Sequence, residues 1–83
     1  MKPDGWPDAW SGKTWKAVGD FGRAVTLTED HLLNLYDSIG DESAMLVAVG
    51  ADTRSDRRFD KAIGLLRKAG LVKYVKGTGW TRA

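Results

Sequence analysis

Basic side chains crowd the last third of this chain at spacings that suit a polyanion. Arg54, Arg57, Arg58 and Lys61 fall close together, and Lys68, Lys73 and Lys76 follow. Arginine carries a planar fork that can donate two hydrogen bonds at once to guanine O6 and N7 or to a phosphate, and lysine adds a compact positive charge. Residues 54–83 hold nine bases and two acids, whereas residues 1–53 hold four bases and nine acids, so the net charge of +2 conceals a division of +7 against −5. The functional reading is one electropositive face with an acidic remainder that limits indiscriminate adhesion. The plain reading is a solvated surface whose charges happen to cluster, and charge alone leaves both open.

Other chemistry is thin. Gly12-Lys13-Thr14 is the end of a phosphate-binding loop, but the full pattern needs a glycine five positions earlier, where Pro7 stands, and a strand leading in. His31 is the only histidine and there is no cysteine, so no zinc finger, disulfide or thiolate nucleophile exists, and His31 reads as a first-turn surface residue. The acid pairs Glu29-Asp30 and Asp41-Glu42 sit where two helices should begin, and the helix dipole accounts for them. No enzyme constellation emerges, and no cofactor or metal is expected.

The elements that must position the bases are legible from caps and periodicity. With 83 residues and four tryptophans, the chain has material for one domain whose small core leans on its aromatics. Residues 1–23 interleave Pro3, Gly5, Pro7, Gly12, Gly19 and Gly22 with Trp6, Trp10, Trp15 and Phe21. Such a segment cannot be one long helix, and its aromatics argue against plain disorder. The expectation is an irregular arm, with a short strand near 14–18, packing its tryptophans on the domain or on a partner.

Val25-Thr26-Leu27 reads as a strand, and Thr28 as the N-cap of a first helix over 29–39, with Leu32, Leu35, Tyr36 and Ile39 facing inward. Gly40 ends it, and Asp41 caps a second helix over 42–49. The run from Ala44 to Val49 has no polar face, so the rest of the fold should cover it on most sides. Ser55 is the expected cap of a third helix over about 56–69. Phe59, Ala62, Ile63, Leu66 and Ala69 gather on one side of it, and Arg54, Arg57, Lys61, Gly64 and Lys68 on the other. Gly70 stops this helix, a strand over 71–76 follows, and a turn at 77–79 leads into a short return strand at 80–82.

Two features keep alternative readings. Gly64 on the outer face either lets the helix backbone approach a phosphate or base, or is a tolerated glycine costing about 1 kcal/mol against alanine. Lys73 and Lys76 either touch phosphates or keep an edge strand from pairing with another chain.

The stretch Phe59-Asp60-Lys61-Ala62-Ile63-Gly64-Leu65-Leu66-Arg67-Lys68-Ala69-Gly70-Leu71-Val72 resembles the recognition-helix signature of winged helix-turn-helix regulators of bacterial and phage type. In that superfamily an aliphatic residue, two spacers, Leu, two spacers and Ala-Gly-Leu-aliphatic run into the wing, and Ile63, Leu66 and Ala69-Gly70-Leu71-Val72 match. Gly79-Trp80-Thr81 resembles the wing's return strand, and the likeness covers roughly residues 28–82.

The resemblance implies an α+β winged helix-turn-helix fold: three helices, a C-terminal hairpin wing and a short N-terminal strand. It would occupy residues 24–83 behind the Trp-rich arm of 1–23. The expected function is a sequence-specific DNA-binding transcriptional regulator without enzymatic activity, its third helix in the major groove of double-stranded DNA. Arg54, Arg57, Arg58, Lys61, Lys68, Lys73 and Lys76 are the expected DNA contacts. A homodimer on a two-fold site is expected for a domain this small, with the arm a candidate dimer contact. The alternative is a protein-binding adaptor or inhibitor working through the acidic half or the arm. No signal peptide or membrane span is legible, since the longest uncharged apolar stretch runs only from Ala44 to Ala51, so a cytoplasmic location is expected.

Overall fold

Helix starts in this protein are set by side chains that satisfy the free N–H groups of a first turn. In the computed structural model, which describes residues 2–18 and 22–83, three helices and two antiparallel strand pairs build a small α+β domain. Gly19 and Phe21 of the expected arm lie outside the described residues.

A 3-10 turn at Asp8–Trp10 leads into β1 (Thr14–Val18), which pairs antiparallel with β2 (Ala24–Thr28). The register sets Trp15 opposite Leu27 and Ala17 opposite Val25. Trp15, Ala17 and Leu27 are buried while Thr14, Lys16 and Val18 are exposed, the alternation that a sheet with one face on a core demands.

Thr28 then caps α1 (Glu29–Asp37) by a reciprocal box. The His31 amide donates to Thr28 Oγ1 (3.4 Å), and the Thr28 amide donates to His31 Nδ1 (2.9 Å). His31 therefore helps to start the helix, a role its place in the first turn did not reveal. Leu32 and Leu35 are fully buried, whereas Ile39 lies beyond the helix end.

Asp41 accepts from the Ala44 amide and starts α2 (Glu42–Ala48). Here the expected cover is met at all but one position of the apolar run. Met45 and Val49, four residues apart, point inward, but Val47 is 79% exposed. Ala44, Leu46 and Ala48 are half-buried beside that stripe, so Val47 alone of the apolar run is left facing outward.

α3 (Arg57–Lys68) is capped by Asp56 and not by Ser55. The Asp56 carboxylate accepts from the Arg58 amide at 2.8 Å and is itself buried, and a charged acceptor held in place outcompetes the neighbouring hydroxyl. Phe59, Ala62, Ile63 and Leu66 form the inner face, as their spacing predicts.

Gly70, at φ 78°, takes the left-handed turn that ends α3 and directs the chain into β3 (Val72–Val75), which pairs with β4 (Gly79–Arg82). The two strand pairs remain separate sheets. Arg82 ties the second to α1: its guanidinium stacks on Tyr36 at 5.0 Å and donates to the carbonyls of Tyr36 and Asp37, both at 3.2 Å. The Tyr36 carbonyl also accepts from the Ile39 amide at 3.3 Å, so Arg82 adds a second donor there and reaches the Asp37 carbonyl at the helix C-terminus.

The core is continuous through these elements. Trp6, Trp10 and Trp15 stack edge to face at 5.0 and 5.6 Å and join Leu27, Leu32, Leu35, Met45, Phe59 and Leu66 in one cluster. The Trp6 indole N–H donates to Glu29 at 2.8 Å, and the Lys2 ammonium lies 3.0 Å from the same carboxylate. The described part of the first 23 residues thus packs on its own chain.

Candidate nucleic-acid interface

The two faces of α3 follow from its 100° turn per residue. On that projection Phe59, Ala62, Ile63 and Leu66 centre on the direction opposite to Arg57, Lys61, Gly64 and Lys68, and the latter four fit within an arc of about 60°. Arg57, Lys61 and Lys68 are exposed, and among the described residues they have no ion-pair partner. The outer face carries a shallow depression of about 140 Å³ lined by Asp60, Lys61, Gly64, Leu65 and Lys68.

The remaining expected contacts are placed differently. Arg58 projects sideways from the arc and is turned back onto the cap, with Nε 3.2 Å from Asp56 Oδ1 and Nη2 3.0 Å from Oδ2. The hydrogen bonds from Arg58 hold the Asp56 carboxyl below the usual carboxylate range against the opposing effect of burial, so both partners stay charged. This commitment removes Arg58 from the group of free bases.

Arg54 precedes the helix, its Nε 3.3 Å from Glu42 Oε1, with both side chains well exposed. An exposed pair of this kind contributes about 0–1 kcal/mol and exchanges readily for another anion. Lys73 and Lys76 are exposed on the second hairpin and have no ion-pair partner among the described residues. Arg67, also exposed on α3, is a base the expected set left out. It lies to the side of the arc, so outer-face periodicity gave it no weight.

Further concavities among the described residues include two away from this face. One of about 90 Å³ lies between the start of α2, the start of α3 and the second hairpin, with Met45, Phe59, Tyr74 and Trp80 in its walls. The other borders Gly12, Lys13 and Thr14 but also Glu29 and Asp30, whose charges disfavour phosphate, and β1 begins at Thr14 where a phosphate loop would need a preceding strand. Among the described residues no cluster of histidine and acidic side chains could hold a metal ion, and no helix is long and apolar enough to cross a membrane.

No known protein family, curated protein or solved structure matches this chain.

Proposed function

We propose that this protein is a sequence-specific DNA-binding regulator of the winged helix-turn-helix class, with α3 entering the major groove and the β3–β4 hairpin serving as the wing. The observation that carries the reading is the basic arc of Arg57, Lys61 and Lys68, without an ion-pair partner among the described residues and set opposite the buried stripe of the same helix. A helix seated by Phe59, Ile63 and Leu66 presents those bases on a fixed support, and a groove about 12 Å wide admits one such helix.

The roles divide by position. Arg57 opens the helix, where base edges are reachable, and Lys61 lies one turn on. Lys68 near the helix end, Lys73 and Lys76 meet phosphates, and Arg54 exchanges Glu42 for one. Arg58 stays with Asp56 and secures the helix start without reading sequence.

A mobility-shift selection from random duplexes tests this reading. Arg57→Ala should weaken the selected site by about 1–3 kcal/mol and relax preference at one base pair. Lys76→Ala should weaken all sequences alike and lower the slope of log affinity against log salt by about 0.9. Absence of salt-dependent binding to any duplex overturns the reading and assigns the basic face to an acidic protein.

A further inference from the structure

Eight of the described glycines have positive φ, where a side chain would be strained, and Gly64 is the exception with an ordinary helical backbone. In the interior of a helix a glycine is unfavourable relative to alanine because it orders more backbone and adds no packing. Crowding does not require it here either, since a Cβ on Gly64 would meet no described atom within 4 Å beyond its chain neighbours and its own helix backbone. Neither the backbone conformation nor packing among the described residues calls for a glycine here.

Its surroundings say what approaches. Gly64 sits inside the basic arc, with Lys61 one turn before it and Lys68 one turn after, above the half-buried Leu65. Resting on the DNA-binding reading, we propose that Gly64 is the point of closest approach between α3 and duplex DNA, where bare helix backbone meets a base edge on the floor of the major groove. Lys61 and Lys68 bracket that point, Lys61 on the base-reading side and Lys68 on a flanking phosphate. A glycine Cα can lie about 3.3–3.6 Å from a base carbonyl such as guanine O6 or thymine O4, and the Leu65 side chain offers an apolar surface to a thymine methyl. A methyl group at position 64 would stand in that space and lift the helix from the groove.

The test is Gly64→Ala in the full chain, with two readouts. The thermal midpoint should rise, because alanine is the better helix former and its methyl meets nothing internal. Affinity for the duplex selected by the wild-type protein should fall by about tenfold or more, while binding to unrelated duplexes changes little. An unchanged affinity for the selected duplex overturns the inference while leaving the DNA-binding reading intact. A lowered midpoint also overturns it, by revealing an internal role for the glycine. If wild-type protein binds no duplex, the inference falls together with the reading beneath it.

Discussion

The two hairpins of this protein share antiparallel pairing and similar length, yet they are anchored in different ways. In β1–β2 the inward residues Trp15, Ala17 and Leu27 are all buried, and Trp6 and Trp10 of the preceding segment pack in the same cluster. In β3–β4 burial is concentrated at the root, where Val72 and Leu71 are enclosed and Arg82 clamps α1, while Tyr74 toward the tip is 58% exposed and Lys73 and Lys76 face solvent. An isolated two-stranded hairpin is marginal, so each needs outside support. The first obtains it along the described strands through Trp15, Ala17 and Leu27, with Val25 half-buried beside them. The second obtains it at its root and through the half-buried Trp80, while Lys73 and Lys76 stay in solvent and resist edge pairing.

The largest expected effect lies in the first hairpin's cluster. Trp10→Ala should cost about 3–5 kcal/mol in a denaturant titration, since the indole is buried between Trp6 and Trp15. A loss under 1 kcal/mol would mean that the N-terminal segment only rests on the domain, and the contrast between the hairpins would collapse.

The start of α3, the helix whose far end leads into the second hairpin, should give an intermediate effect. Asp56→Ala removes the N-cap and leaves Arg58 without its carboxylate, a loss of about 0.5–2 kcal/mol for the cap with a further penalty from the guanidinium. The acid limb gives a second test. Because the folded-state pKa of Asp56 is depressed, its contribution is present above the ordinary carboxylate pKa of about 4 and is lost as pH falls through the folded value. Wild-type melting temperature should therefore drop below about pH 4, and the variant should show a shallower decline. Equal slopes would place the acid sensitivity elsewhere, with Glu29 the next group to examine because Trp6 and Lys2 also hold its carboxyl low.

The smallest effect belongs to the second hairpin's tip. Tyr74→Ala forfeits an edge-to-face contact with Trp80 at 5.3 Å and little burial, so about 1 kcal/mol or less is expected. A loss as large as that of Trp10→Ala would show that the tip is structural after all.

What was legible in the sequence was local. The caps Thr28 and Asp41, the stop at Gly70 and the inner stripe of α3 were read from spacing, because each acts within a few residues. Ser55 and Asp56 were both chemically able to cap, and only the carboxylate's burial and its grip on Arg58 decide between them. Arg58 itself looked like one more free base, since a clamp two residues back has no helical period. The exposure of Val47 was missed because an apolar run says what prefers burial and not whether two turns of helix will be enclosed. The contacts of Trp6 with Glu29 and of Arg82 with Tyr36 join residues 23 and 46 positions apart, which nothing local announces.

The tryptophan arrangement has a further consequence for how the molecule can be watched. Trp6, Trp10 and Trp15 form a chain of indoles set at nearly right angles, whereas Trp80 stands apart with Tyr74. Indoles fixed edge to face in a chiral frame give strong near-ultraviolet circular dichroism, a signal that vanishes when specific packing is lost even if helices persist. The molecule therefore carries a built-in optical gauge of its N-terminal packing. With Trp80 replaced by phenylalanine, that gauge would follow chiefly the packing of Trp6, Trp10 and Trp15 and of the Tyr36 ring beside Trp6, separately from the far-ultraviolet signal of the helices.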